Sequence, residues 1–403
     1  MTRAARHHGD PPDVLVVFGT RPEIIKLVPV VHALEQAGIR VATCLFRQHT
    51  ALADQALRAF SLTPTYDLPV SLSDQALFSS AASVVGRLWS LARSGMGLLR
   101  FLRILRRRPK LLVVQGDTST VFIAAFLAFH LKIPIAHVEA GLRTYDKYRP
   151  FPEEMNRTLV SRLADVHFAP TPQAAQNLRR EGIDPSRIHL VGNTAIDALR
   201  ATIERLADPR EAVRVAERFR SLTGIDVSQT TLVLATAHRR ESFGTGLTNI
   251  FQALRTLSAQ YPNLRIVLPA HPNPNVERAL HASLDGVPGV CIVPPLDYEL
   301  FVWLMRTAVV ILTDSGGVQE EASFLGTPVV ILRDVTERPE VVTAGAAVLA
   351  GTDPERIVLE TEKILDDSTV HAAMAVPRTL FGDGHAADRI ADVCHGFLRD
   401  HQN

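Results

Sequence analysis

Short apolar runs recur along the chain, and each is followed by a longer stretch with helical spacing of its apolar positions. In the first half they are "VLVVFG", "VATCLF", "LLVVQG", "IPIAHV", "VHFAP" and "IHLVG"; in the second, "TLVLAT", "RIVLPA", "VCIVPP", "VVILTD", "TPVVIL" and "AAVLAG". They are rich in Val and Ile and show no alternation with polar residues, as expected of strands covered on both faces. Two series of strand–helix units predict an α/β protein with two doubly wound, Rossmann-like parallel sheets facing a cleft.

The series break where "AIDALRATIERLADPREAVRVAERFRSLTG" reads as charged helix. This places an N-terminal domain over 12–200 and a C-terminal domain over 201–380. The closing stretch 381–403 contains an amphipathic helix, with Ile390, Val393 and Leu398 on one face, suited to packing back on the N-terminal domain.

Composition narrows the field. A chain of 403 residues exceeds what one core usually organises. Its formal net charge of +1 gives no global field for nucleic acid or an anionic membrane. Cys44, Cys291 and Cys394 have neither metal-ligand nor disulfide-framework spacing, which fits a reducing cytoplasm. The N-terminus has no signal-peptide pattern. The longest apolar stretch is interrupted by His130, Lys132 and Pro134, so no membrane insertion is expected. The segment 88–110 is basic and amphipathic and reads as a helix with one buried face and solvated arginines.

In open parallel sheets, ligands bind beyond the carboxyl ends of the strands, so the residues following each apolar run are the candidates for chemistry. In "FGTRPEIIK", Arg21 and Lys26 bring positive charge to a helix start, an arrangement for an anion. In "TDSGGVQEEASFLG", Ser315, Gly316 and Gly317 let helix amides approach a phosphate, and one of Glu320 and Glu321 would read ribose hydroxyls; the plainer alternative is capping by Asp314 or Ser315. His238 in "ATAHRRESFG" and His271 in "PAHPNPN" take equivalent places after successive strands, and Arg338 in "RDVTERPE" stands on a loop where its guanidinium could reach a diphosphate. Asp117 in "VVQGDTST", Glu139 in "HVEAGLRT" and Glu153 in "PFPEEMNRT" form an acid cluster with few cationic neighbours beyond Arg143 and Arg157. Like-charged neighbours would raise carboxyl pKa values and suit proton transfer. Glu153 and Arg157 are spaced to pair on one helix face.

These motifs, GTRPE, GDT, VEAGLRT, PEE-x-NR, HRRES, DSGG-x-QEE and TERPE, occur in order over nearly the whole chain. They resemble the non-hydrolysing bacterial UDP-N-acetylglucosamine 2-epimerases. The resemblance implies the two-domain GT-B fold and epimerisation at C2 of a UDP-sugar, by elimination of UDP to 2-acetamidoglucal and re-addition. It implies that Ser315, Gly316 and Gly317 hold the diphosphate with Arg21 and His238, and that Arg338 faces its end. Glu321 would take the ribose, while the main chain of Leu296 and the ring of Phe301 would hold uracil. Asp117, Glu139 and Glu153 would be the acid/base carboxylates, with Arg157 and Lys26 beside them. A homodimer is implied. No nicotinamide is needed, and the chain has no G-x-G-x-x-G after a strand. A diphosphate site of amides and cations calls for neither metal nor cofactor.

One departure concerns regulation. Relatives activated by a second UDP-sugar use a segment that here keeps Gln48, His49 and Gln75. Thr50 and Ala51 replace longer polar side chains, and Asp74 stands where a base is common. Weakened or altered activation is the expectation. Three rivals stand beside the epimerase reading: a hydrolysing epimerase releasing N-acetylmannosamine and UDP, a GT-B glycosyltransferase, and a catalytically silent nucleotide-sugar binder.

Overall fold

The computed structural model describes residues 11–47, 50–70, 84–271 and 273–401. The chain forms two compact units, one running to Ala198 and resuming at Gly382, the other spanning Leu199–Phe381. The division falls inside the helix Thr194–Leu206.

The first unit is built on strands β1 (Val14–Phe18), β2 (Val41–Phe46), β3 (Tyr66–Leu68), β4 (Leu111–Gln115), β5 (Ile135–Val138), β6 (Val166–Ala169) and β7 (Ile188–Leu190). Their order is β3-β2-β1-β4-β5-β6-β7, all parallel, so the winding reverses between β1 and β4. Successive residues of β1 enter opposite cores. Val14, Val16 and Phe18 pack with helices Arg21–Gln36, Thr50–Ala59 and Ala386–Asp400, while Leu15 and Val17 pack with Val84–Leu105, Ser119–His130 and Glu153–Leu163. This two-sided burial is why the strands read as unbroken apolar runs.

β3 was not among the expected strands. It has three residues, lies on the sheet edge and buries only Leu68, so it carries neither an apolar run nor a usable alternation. The basic segment forms helix Val84–Leu105, with Phe101 and Leu105 in the core and Met96 and Leu99 exposed. Among the described residues, no helix is long and apolar enough to cross a membrane. The C-terminal helix joins the first unit through Ile390, Ala391, Cys394 and Leu398, with Val393 partly buried beside them. Asp197 Oδ1 accepts the amide of Ala387 at 2.7 Å, and Arg389 donates to the carbonyl of Val191 at 3.0 Å.

The second unit contains β8 (Thr231–Thr236), β9 (Leu264–Pro269), β10 (Val290–Val293), β11 (Val310–Thr313), β12 (Val329–Ile331) and β13 (Ala347–Leu349). Its parallel order, β10-β9-β8-β11-β12-β13, reverses between β8 and β11. In both units the reversal leaves adjacent strand ends whose following loops diverge, and these loops carry the candidate residues.

Candidate active-site clusters

In the first unit, the carboxyl ends of β1, β4, β5 and β7 gather a charged cluster. Glu139 directly follows β5 with φ +64°, a left-handed conformation uncommon for a residue with a side chain. Lys26, one turn into the helix after β1, donates to Glu139 Oε1 and Oε2 at 2.6 and 2.7 Å. Gln115 at the end of β4 also donates to Oε2, and Asn193 after β7 lies 3.4 Å from Oε1. Three other chain segments thus fix one carboxylate, and they offset a backbone conformation that costs on the order of 1–3 kcal/mol.

Asp117 accepts two bonds from Arg157, one of them at 3.0 Å from Nε. Arg157 also lies 3.2 Å from Glu154, whose other oxygen accepts the amides of Thr144 and Tyr145 at 3.1 and 3.0 Å. The expected sparsity of cations is therefore corrected: each of Asp117 and Glu139 has its own cation, and Arg157 turns to Asp117 and Glu154. Glu153 is the first residue of its helix and is half-buried. Arg143 is a strut, with its side chain buried and donating to both oxygens of Glu181, to Ser161 and to the carbonyl of Leu142.

Glu23, the last residue of GTRPE, received no role from sequence. It is buried, closes a capping box with Thr20, and accepts from Gly19 and Thr20 amides and from Thr118 Oγ1 at 2.6 Å. It ties the β1 turn, which leads to Arg21 and Lys26, to the β4 turn that carries Asp117. Burial pushes its carboxyl up, against the pull of those hydrogen bonds.

Beneath the cluster, His137 on β5 and His167 on β6 are register neighbours with no exposed surface. His137 Nε2 donates to the carbonyl of Gly116 at 2.7 Å. Burial is the main cause lowering His137 to about 4 and His167 to about 3. Unfolded imidazoles take protons near 6.5, so the unfolded chain binds more protons than the folded one between pH 6.5 and these values. Stability present above pH 6.5 is therefore lost as pH falls, by roughly 3 kcal/mol for His137. Melting temperature measured against pH should drop through this window. His137→Gln, which keeps a donor for Gly116, should flatten the drop; an unchanged slope would exclude His137 as its source.

The second unit offers a candidate anion site. Helix Gly316–Leu325 begins directly after β11, and its first intrahelical bond runs from Gln319 N to Ser315 O, so the amides of Gly316, Gly317 and Val318 precede it. A Cβ built at Gly316 would lie 3.6 Å from Arg338 Cζ and 3.8 Å from a guanidinium nitrogen of Arg239. Two guanidinium groups thus flank a helix start at which Gly316 is buried beneath them and Gly317 is exposed, with open space at its Cβ position. Ser315 is the N-cap without a side-chain capping bond, and Asp314 turns elsewhere, so capping does not account for this motif. Glu320 binds Arg338 Nε, which explains an acid beside an anion site: it orients the guanidinium. Thr336 donates to Gln319 Oε1 at 2.6 Å and accepts the amide of Arg338, fixing that loop.

His238 and His271 do come together, with stacked rings 5.0 Å apart and 9° from parallel. Glu321 is buried and accepts from Tyr298 Oη at 2.7 Å. Leu296 is buried just before the helix Tyr298–Thr307, and Phe301 is half-buried within it. Arg21 is half-buried at the start of its helix in the first unit, whereas the other candidate diphosphate residues belong to the second. Gln48, His49, Asp74 and Gln75 lie outside the described residues. Sequence reasoning missed Arg239 as a ligand candidate, and Gln115, Asn193, Glu154 and Tyr298 as supports. Among the described residues, no group of three His, Cys, Asp or Glu is placed to hold a metal ion.

Two doubly wound units, one with a helix start flanked by guanidinium groups and one with cation-paired carboxylates, define a GT-B-like α/β enzyme. A family model described as UDP-N-acetylglucosamine 2-epimerase matches residues 32–395. The chain is 44% identical over 387 residues to the UDP-N-acetylglucosamine 2-epimerase of Salmonella typhimurium, covering 95% of this chain and 98% of that protein. It is 42% identical to the enzyme of that name from Escherichia coli K12, covering 94% and 97%. Among solved structures, it is similar to the Neisseria meningitidis UDP-GlcNAc 2-epimerase bound to UDP-GlcNAc, with TM-score 0.84, 37% identity and coverage of 95% and 99%. The Methanocaldococcus jannaschii enzyme in complex with UDP-GlcNAc and UDP has TM-score 0.77 and 32% identity, with the same coverage. The chain belongs to the UDP-N-acetylglucosamine 2-epimerase family and is an isomerase.

Proposed function

We propose that this enzyme interconverts UDP-N-acetylglucosamine and UDP-N-acetylmannosamine without net hydrolysis. The observation that supports the reading most is the helix start at Gly316 and Gly317 flanked by Arg239 and Arg338, a local concentration of positive charge suited to a diphosphate in a chain whose net charge is only +1. Ser315, Gly316 and Gly317 would hold the diphosphate with Arg338, Arg239 and His238, with His271 supporting His238. Glu321, steadied by Tyr298, would take the ribose, and Leu296 and Phe301 the uracil.

The chemistry follows from the substrate. The C2 proton lies beside no ring carbonyl, so direct deprotonation is too hard. If the C1–O bond breaks with its electron pair leaving on UDP, positive charge develops on the ring and the C2 proton is acidified. A carboxylate then takes that proton, and the C–H electrons form the C1=C2 bond of 2-acetamidoglucal. Return of UDP to C1, with protonation of C2 from the opposite face, gives the manno sugar. Guanidinium groups and helix amides stabilise the departing diphosphate, and the two faces of C2 call for two proton-transfer groups. Asp117, Glu139 and Glu153 are the three candidates for these two roles. Arg157 and Lys26 hold Asp117 and Glu139 in place.

Proton NMR of UDP-N-acetylglucosamine incubated with the enzyme should show the UDP-linked manno sugar without free N-acetylmannosamine. Accumulation of free sugar would establish the hydrolysing reading instead. The proposal extends to a cytoplasmic homodimer. Its free cysteines suit a reducing compartment, and Phe126, Phe129, Met155 and Leu159 form exposed apolar positions on two packed helices. Sedimentation should give twice the chain mass, and Phe129→Asp should halve it. A wild-type monomer would remove this part of the proposal.

A further inference from the structure

Asp314 is the most constrained acid of the second unit, with no exposed surface at the end of β11. Its Oδ2 accepts the amides of His238 and Arg239 at 2.6 and 2.7 Å. Its Oδ1 lies 3.2 Å from His238 Nδ1. That contact has ion-pair distance without hydrogen-bond alignment, and Oδ1 has no other hydrogen-bond partner. A buried acceptor without another donor and 3.2 Å from one imidazole nitrogen is completed by a turn of that ring into alignment. The parallel ring of His271 limits how far His238 can turn. His271 Nδ1 itself accepts the amide of Asn273 at 3.2 Å, so a neutral His271 carries its proton on Nε2.

We propose that Asp314 is a positioning residue that holds His238 as the Nδ1–H tautomer, leaving Nε2 to exchange a proton with the diphosphate as it leaves and returns. The inference rests on the reading of UDP departure given above. Arg239 and Arg338 stay charged throughout and cannot deliver a proton. An imidazole beside them can, and a fixed carboxylate at its far nitrogen sets which nitrogen does so. Burial pushes the Asp314 carboxyl up, but the His238 ring and the two amides outweigh it and hold it below the usual carboxylate range, so the group is an anion at neutral pH. As UDP leaves, Nε2–H gives its proton to a terminal diphosphate oxygen and the ring becomes neutral; on re-addition the proton returns.

The test is Asp314→Asn in protein carrying ¹⁵N-labelled histidine, with UDP bound and the His238 signal assigned from His238→Gln. The two amides of His238 and Arg239 claim the asparagine oxygen. Its NH2 then faces Nδ1 and drives the neutral ring to the Nε2–H form. Wild-type His238 should read as Nδ1–H when neutral and the variant as Nε2–H. Turnover should fall by about 10²- to 10³-fold in kcat with KM and UDP affinity within a few-fold. A neutral wild-type ring protonated on Nε2, or a variant that keeps Nδ1–H, overturns the proposal, and the wild-type spectrum decides even if the variant does not fold. Loss of UDP affinity equal to the loss of kcat overturns it too, because Asp314 would then be serving binding alone. Should the enzyme lack epimerase activity, the tautomer still reports on Asp314, so the two readings fail separately.

Discussion

Replacing Glu139 with glutamine is expected to lower kcat by on the order of 10³-fold while leaving UDP affinity within a few-fold. The substitution keeps the size of the side chain and removes its charge. Glu139 holds a left-handed backbone conformation at the end of β5 and receives Lys26, Gln115 and Asn193. Strain retained under so many restraints points to a position needed for function. With an amide there, Lys26 loses its anionic partner and the site loses a base. UDP affinity should survive because the proposed grip on the nucleotide is centred on the second unit. Steady-state kinetics alongside calorimetric UDP binding check both halves. A kcat within tenfold of wild type would remove Glu139 from the chemistry and leave Asp117 and Glu153 as the candidates.

The largest loss of stability is expected at Gly141, two residues beyond Glu139. Its φ is +91°, and a Cβ there would lie 2.2 Å from the carbonyl oxygen of Ala174, 2.8 Å from its carbon and 2.9 Å from Leu178 Cγ. The obstacle is the backbone of helix Pro172–Arg180, which cannot swing aside as a side-chain tip can. Asn177 on that helix also donates to the Gly141 carbonyl at 3.0 Å, holding loop and helix together. Gly141→Ala should therefore cost about 3 kcal/mol or more and lower the melting temperature by roughly 10 °C. Gly182→Ala is the matched control. That residue has φ +79° but open space around its Cβ position, so only backbone strain of about 1 kcal/mol is expected. Equal losses at the two positions would show that the contact with Ala174 contributes nothing.

The strands that read clearly in sequence are those with both faces covered, because burial on two sides leaves an unbroken apolar run. β3 was hidden because an edge strand of three residues needs only Leu68 inside. The residues at strand ends were legible as polar positions after apolar runs, and their motifs as a family resemblance. Their partnerships were not. Lys26 and Glu139 are 113 positions apart, and Arg157 and Asp117 are 40 apart, so nothing local announces either pair. Glu320, offered by sequence as a possible ribose ligand, instead binds Arg338 from 18 positions along the chain. Asp314 suggested only the alternative of a helix cap, shared with Ser315, because aspartate before a helix is often one. Only the register of β8 beside β11, Thr236 against Thr313, brings it to the His238 loop.

The central claim is that the C2 proton is removed and replaced while UDP is off the sugar. Incubation with UDP-N-acetylglucosamine in D₂O, followed by proton NMR, tests it most directly. The account predicts deuterium at C2 of the UDP-linked manno product, and at C2 of the gluco sugar as the reaction reverses. A manno product that keeps its original C2 proton in D₂O, or free N-acetylmannosamine as the sole product, would contradict it.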